Sequence, residues 1–299
     1  MKGPTTPPSK SRVQRSSPPN VRAAITIIGP YRGWFDWRLR QLWRYRDLVT
    51  LLVWRDFVSI YKQTILGPGW HIVQTLLTTF TFTIIFAKIA GLPTDGVPPF
   101  FFYLAGTVLW SYFANSLNSI SRTFVTNAGL FGKVYFHRLV IPVSIVISNL
   151  VAFAIQFSMF LVLLAAHRLF GGALHLSVWT LLTPVFLVML AGYALGVGII
   201  VCALTIRYRD LAHLVTFGVQ LLMYGTPVIY PLSVVPEQYR MVLLLNPLTP
   251  VIEGFRLGFL GVGTVEPSQL AASFGIMLLV LAVGFMLFSH VEHIFMDTV

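Results

Sequence analysis

Six stretches of this chain contain no Asp, Glu, Lys or Arg: 63–87, 96–121, 139–167, 169–206, 211–236 and 267–291. A helix that crosses the hydrocarbon core of a bilayer needs about 20 apolar residues, so each run is long enough to hold one crossing. The 169–206 run is the longest, and "GGALHLS" near its start reads as a turn, which leaves residues 178–206 as helix. Only 10% of the 299 residues are charged and 56% are hydrophobic, whereas a soluble domain carries about 25% charged residues. The expected fold class is an all-α membrane protein with six transmembrane helices, built on residues 63–291.

The formal net charge is +11, which raises nucleic acid as a partner. The distribution argues against it. Twelve of the 21 basic residues lie at or before Lys62, and the others sit in short gaps between apolar runs. That is a positive-inside pattern, not a groove for phosphodiesters. With the amino terminus inside, Arg122, Lys133 and Arg138 join it from one loop and Arg207 and Arg209 from another. The split is then 17 inside against four outside, namely Lys88, Arg168, Arg240 and Arg256. Both termini are expected in the cytoplasm, including the short segment 292–299. Residues 1–30 form a basic, proline-rich tail with too little apolar surface to offset its ordering entropy. The apolar piece "AAITIIGP" that ends it is too short for a signal-peptide core. Cys202 lies inside an apolar run, so it reads as a buried thiol, with no disulfide framework or metal site around it.

Two segments depart from simple spans. Residues 31–62 are an interface segment whose amphipathic helix reads from residue 35. On a helical wheel Val49, Val53, Phe57 and Ile60 form a stripe opposite Arg55, Ser59 and Lys62. Rich in Trp and Arg, this helix belongs in the cytoplasmic headgroup plane. The second is "EQYRMVLLLNPLTPVIEGFRLGFLG", 237–261. Only 12 uncharged residues separate Arg240 from Glu253, interrupted by Asn246, Pro247 and Pro250. That is too short to cross, and a re-entrant helical hairpin dipping into the outer leaflet satisfies the backbone instead.

Several chemistries are excluded. There are no paired carboxylates, no HExxH and no acidic cluster, and "HVEHIF" at 290–295 reads as interface histidines. "NAGLFGKVY" at 127–135 lacks the first glycine of a phosphate loop and the hydroxyl after its lysine, and it follows a membrane span rather than a strand. The chain therefore hydrolyses no ATP itself. The spans also contain no Asp, Glu, Lys or Arg, the groups that ion-coupled carriers usually keep within the membrane. Their strongly polar groups are His71, Gln74, Asn115, Asn118, Asn149, Gln156 and Gln220, read chiefly as interhelical hydrogen-bonding groups. A pump of this composition draws its energy from another subunit. Gly192-x-x-x-Gly196 suits close helix packing.

"RDFVSIYKQTILGPGW" at the first span, "NAGLFGKVYFHRLVIP" after the second, "RYRDLAHL" after the fourth and "PLSVVPEQYRMVLLLNPLTPVIEGFR" before the last share an order with one family. The chain resembles, over roughly residues 40–290, the membrane subunits of type-2 ABC exporters for polysaccharide, the Wzm- and TagG-like O-antigen, capsule and teichoic-acid group. The resemblance implies a homodimeric permease in the bacterial inner membrane, joined by two copies of a cytosolic ATPase. The permease would bind no cofactor of its own, ATP and Mg being held by the ATPase. The cargo would be a polysaccharide on a pyrophosphate lipid.

By position, 127–138 would be the coupling segment, with Leu130, Phe131, Lys133, Tyr135 and Arg138 facing the ATPase. The 237–261 hairpin would be the gate, with Asn246, Pro247, Glu253 and Arg256. Arg55 and Lys62, two helical turns apart, would meet the lipid pyrophosphate, a guanidinium binding bidentately and an ammonium as a point charge. Phe80, Phe86, Trp110 and Tyr112 would offer a sliding sugar chain sequence-tolerant faces. The long basic tail is a departure from the family pattern.

Three other functions compete: a related permease for a small lipid or drug, a membrane-embedded glycosyl- or phosphotransferase, and a channel without a motor. The transferase needs acidic or histidine clusters at an interface, and the sequence has none. The orientation is testable. Single cysteines at Lys133 and Arg209, in a Cys202→Ala background, are shielded from an impermeant thiol reagent in intact cells, whereas one at Glu237 labels. The opposite labelling pattern would mean the charge split has been assigned to the wrong sides.

Overall fold

In the computed structural model, the residues described are 43, 45–62, 64–126, 138–172, 176–205 and 210–296, all within one unit spanning 37–299. Among them the chain is helical, with no strand. In order come α1 (Arg46–Tyr61), α2 (Gly69–Phe82, continued as a π-helix over Thr83–Ile89), α3 (Pro99–Ser121) and α4 (Val140–Leu169). A 3-10 turn (Val178–Leu182) leads into α5 (Thr183–Thr205), followed by α6 (Leu211–Tyr224), α7 (Glu237–Leu245), α8 (Thr249–Phe259) and α9 (Pro267–Met296).

Local sequence accounts for most of these boundaries. Pro99 occupies the first turn of α3, where the missing N–H costs nothing. Just before it the chain turns through Asp95 and Gly96, both at positive φ. Ser177 caps the 3-10 turn by accepting a hydrogen bond from the Trp179 amide at 3.2 Å. The described ends of "GGALHLS", Gly171, Gly172, Leu176 and Ser177, lie between α4 and the next helical segment, and Ala173, Leu174 and His175 lie outside the described residues.

Four helical segments are long and apolar enough to cross a membrane: Gly69–Ile89, Val140–Leu169, Val178–Thr205 and Pro267–Phe288. The two remaining charge-free runs behave differently. The 96–121 run gives the 23-residue α3, but Tyr, Trp, Ser and Asn dilute its hydropathy and most of its surface is buried inside the protein. The 211–236 run gives only 14 residues of α6, about 21 Å at 1.5 Å per residue, short of the roughly 30 Å core. "GTPVIYP" stops it: Pro227 and Pro231 cannot continue a helix, and the chain folds back with Thr226, Val228 and Ile229 buried.

The core lies among α3, α4, α5 and α8. Phe102, Leu104, Leu109, Phe160, Phe186, Met189 and Phe255 are fully enclosed there. A smaller cluster seats α1 on the start of α4 through Leu52, Val140 and Ile141, with Leu48, Val49 and Ile145 around it. The buried centre of α1 is therefore Leu52, a residue outside the stripe read from the sequence. The helix is apolar on several sides, leaving Leu51 and Trp54 exposed, so periodicity alone could not select the buried face.

Helices α5 and α9 are packed through glycine. A Cβ added at Gly196 would stand 2.9 Å from Val280 Cγ1 and 3.0 Å from the Leu281 amide nitrogen, and one at Gly284 would stand 2.8 Å from the Gly196 carbonyl oxygen. Backbone atoms cannot retreat as a flexible side chain can. Gly196→Val should therefore spread the two helices and cost about 1–3 kcal/mol, read as a lower midpoint of thermal unfolding in detergent. Gly218→Val, where a Cβ meets nothing within 4 Å, serves as the control. Equal unfolding midpoints for Gly196→Val and the native chain would rule out the close packing.

Candidate functional site

Two polar features interrupt an otherwise apolar interior, one at each end of the helices. The first is a cavity of about 540 Å³ walled by α1, α3, α4 and α6. Helix α1 contributes Arg55, Asp56 and Ser59, the end of α3 contributes Asn118, Ser119 and Arg122, α4 contributes Ser148 and Asn149, and α6 contributes Thr216. Ile141 and Ile145 form its apolar wall.

The charges in this cavity are arranged unevenly. Arg55 donates from Nε and Nη2 to a single oxygen of Asp56, at 2.9 and 2.7 Å, so its charge is already compensated. Arg122 donates from Nη2 to the Thr216 hydroxyl at 2.9 Å, a neutral partner. Asn149 donates to the Ile145 carbonyl at 3.1 Å. The Asn118 side-chain oxygen is buried without any hydrogen-bond partner, unlike the large majority of buried polar atoms.

The second feature is the α7–α8 hairpin. Asn246 makes its turn: the side-chain oxygen accepts from the Leu248 amide at 3.0 Å, and Nδ2 donates to the Gly225 carbonyl and the Thr226 hydroxyl at 3.0 and 2.8 Å. The Pro247 carbonyl accepts from Ser273 of α9 at 2.5 Å. Behind the turn, Arg256 and Glu253 are buried, at 1% and 2% exposure. Arg256 donates to the carbonyls of Pro227 and Val228 at 2.5 and 2.6 Å and sits 3.4 Å from Glu253 Oε1. Its guanidinium lies over the Phe102 ring, 3.6 Å from the centroid. Glu253 Oε2 accepts from the Thr264 amide at 3.1 Å. Burial pushes the Glu253 carboxyl up from its usual range and the Arg256 guanidinium down, and each partner opposes the other's shift. Gly106 makes room for this arrangement, since a Cβ there would lie 2.9 Å from Arg256 Nη2.

Helix α8 is thereby bolted to the turn after α6, to α3 and to the loop that enters α9. Helix α7 is different, with no buried residue, and it shows Tyr239, Met241, Val242 and Leu245 on its surface.

The residues singled out from the sequence fall in different places. Arg55 is in the cavity wall. Lys62 lies one residue past the end of α1 with extended backbone (φ −64°, ψ 127°), so the two cations do not share one continuous helix, and Lys62 does not line the cavity. Asn246, Pro247, Glu253 and Arg256 are all brought into the hairpin. The four rings are not brought together. Phe80 is half exposed beside Phe100, and Phe86 packs on Phe82 and Tyr103. Trp110 and Tyr112 are buried, against Phe113 and Phe153 respectively. Of the coupling segment, Arg138 lies among the described residues, and Leu130, Phe131, Lys133 and Tyr135 lie outside them.

Sequence reasoning missed Arg122 as a cavity residue, counting it only as a loop charge. The signal was available: Asn118 and Arg122 are four apart and so share one face of α3. Among the described residues no three His, Cys, Asp or Glu side chains come together as metal ligands.

Long apolar helices and a polar, arginine-bearing cavity suit a multi-pass membrane protein. The ABC-2 type transporter family matches residues 47–260, and the chain belongs to that family, whose membrane subunits work with an ATPase. It is 27% identical over 251 residues to the O-antigen export system permease protein RfbA of Klebsiella pneumoniae, covering 84% of this chain and 94% of that protein. The RfbA of Myxococcus xanthus is 28% identical over 225 residues, covering 74% of this chain and 83% of its own length. The inner membrane transport permease YadH of Escherichia coli K12 is 27% identical over 242 residues, 77% of this chain and 87% of that protein.

The buried pair yields a stability prediction. Glu253→Gln keeps an acceptor for the Thr264 amide but leaves the guanidinium charge without its partner, at a cost of about 3–5 kcal/mol. Combined with Arg256→Met, the loss should be smaller than the sum of the two single losses. Thermal unfolding of the four proteins in detergent measures this, and strict additivity would show that the pair is not coupled.

Proposed function

We propose that this chain is the membrane subunit of an ATP-driven exporter. Its cargo is a lipid-linked polysaccharide of the O-antigen, capsule or teichoic-acid type, moved from the cytoplasmic side across a bacterial inner membrane. The observation that carries the reading is the likeness, over most of both chains, to two permeases named for O-antigen export. A cavity with cations, amides and hydroxyls at the end expected to face the cytoplasm supports it.

In this reading α3 and α6 complete a set of six spans, and both termini are cytoplasmic. Helix α3 is shielded from lipid by its neighbours, and α6 covers part of the bilayer before the buried turn takes over. Two copies of the chain assemble with two copies of the ATPase, which binds ATP and Mg, while this chain binds no cofactor. The segment 127–138 docks on the ATPase through Leu130, Phe131, Lys133, Tyr135 and Arg138. The α7–α8 hairpin is the outer gate, its base anchored by Glu253 and Arg256. Arg55, exchanging its Asp56 contact for the ligand, receives the anionic head of the cargo in the cavity wall, and Lys62 meets it outside the cavity as it arrives from the inner leaflet. Phe80 and Phe86 belong to the translocation path, with Trp110 and Tyr112 shaping it from within. A second reading, a permease for a small lipid or drug, is favoured by the YadH likeness, since a permease named without a cargo is as similar in identity.

Deletion of the gene decides between the two. The exporter reading predicts loss of surface polysaccharide with accumulation of the lipid-linked polymer inside the cell, restored by the native gene. Phe131→Asp with Tyr135→Asp should fail to restore export and should release the ATPase on purification while the permease still reaches the membrane. Normal surface polysaccharide in the deletion strain, with an altered lipid or drug phenotype, would favour the second reading.

A further inference from the structure

We infer that a groove at the end of α4 binds one acyl chain of an anionic phospholipid, with Arg168 holding the phosphate. The groove has a volume of about 460 Å³. Leu161, Leu164 and Ala165 of α4 form one wall, Leu176 and Thr180 a second, and Phe259 of α8 a third. Phe259 packs on Phe160 and Phe255 of the core, so this wall is held in place. Thr180 is the one uncharged polar side chain among the described residues of the lining, and its hydroxyl already donates to the Gly258 carbonyl at 2.7 Å. Arg168 apart, the lining side chains therefore offer a polar ligand no free hydrogen-bonding group. A sugar seated here would lose its water without replacement, whereas a hydrocarbon chain loses nothing.

The ends of two membrane-length segments set the depth of the groove. Helix α4 has 30 residues, about 45 Å at 1.5 Å per residue, and outruns the roughly 30 Å hydrocarbon core. The charge of Arg168, its penultimate residue, belongs at headgroup level, and Leu161 lies about 10.5 Å deeper along the axis. Thr180 is near the start of the segment Val178–Thr205 that crosses back. Leu169, Phe170, Val178 and Leu181 nearby are exposed, an apolar rim that fits lipid better than water. Among the described residues no carboxylate pairs with Arg168, so its charge is open to a phosphate. One cation matches the single phosphodiester charge of a glycerophospholipid, whereas a prenyl diphosphate brings more charge than Arg168 offsets. The second acyl chain stays in the bilayer.

The site is independent of the cargo. To test it, the full chain with its ATPase is placed in phosphatidylcholine nanodiscs. These are doped with phosphatidylglycerol or phosphatidylcholine carrying a photoactivatable diazirine on one acyl chain. After irradiation, labelled peptides are mapped by mass spectrometry. The phosphatidylglycerol probe should label residues 161–165 and Phe259 about fivefold more than the phosphatidylcholine probe, the scale of one basic residue facing an anionic lipid. Arg168→Gln should remove that preference, and Arg168→Lys should keep most of it. Ala165→Trp fills the groove and should abolish labelling of Phe259 by both probes, while labelling along α9 stays as in the native chain. Equal labelling by the two probes, a preference that survives Arg168→Gln, or Phe259 labelling that survives Ala165→Trp would overturn the site. So would a native chain unlabelled at Phe259, the result expected if a second copy covers the groove. Displacement of the label by undecaprenyl phosphate at lower concentration than by unlabelled phosphatidylglycerol would assign the groove to a prenyl lipid and overturn it equally.

Discussion

A guanidinium taken out of water costs several kcal/mol unless charge and hydrogen bonds meet it inside. Arg256, at 1% exposure, is such a group, and the end of the protein that carries the α7–α8 hairpin is organised around it. Two carbonyls from the turn after α6, the Glu253 carboxylate and the face of Phe102 surround it. Glu253 in turn holds the amide of Thr264 on the way into α9. One charge thus ties together four pieces of chain that have little regular structure to join them. It explains how α6 can stop after 14 residues and still leave a buried, ordered connection. It also fixes α8 while leaving α7 in contact with the surroundings along its length.

The cavity among α1, α3, α4 and α6 follows the opposite rule. There polar groups are left with capacity to spare: Arg122 has a neutral partner, and the Asn118 oxygen has none. Where the hairpin cluster is closed, this one borders a cavity of about 540 Å³. The frame between the two is stiff, because α5 and α9 approach so closely at Gly196 and Gly284 that no side chain separates them. Tyr193 of α5 adds a hydrogen bond to Ser273 of α9, and Ser273 reaches the Pro247 carbonyl in the hairpin turn. These two contacts tie the α5–α9 pair to the turn of the hairpin.

Much of this was legible in the sequence. Charge-free runs located α2, α3, α4, α5 and α9, and Asn246 with Pro247 and Pro250 marked the hairpin turn. Gly192 and Gly196 announced a close helix contact. What was not legible depends on partners distant in the chain. A count of charges sees Arg256 as a surface residue, because its carbonyl partners lie 28 and 29 residues away. The same count does not say where within 211–236 the helix stops, because it gives no weight to Pro227 and Pro231. Helix α1 has apolar residues on several sides, so only contact with Val140 and Ile141 decides that Leu52 is its buried centre. The cavity was missed as a unit because its walls come from four helices, although two of its amides, Asn118 and Asn149, stood out as polar residues in apolar runs.

The central claim is that this subunit, driven by an ATPase, carries a lipid-linked polysaccharide through the membrane. Reconstitution of the purified complex in liposomes, ATPase outward, with a labelled lipid-linked polymer in the outer leaflet, tests it most directly. The account predicts that ATP makes the polymer progressively resistant to a glycosidase added outside, and that a hydrolysis-deficient ATPase abolishes this protection. A complex that hydrolyses ATP at its normal rate while the polymer stays fully digestible would contradict it.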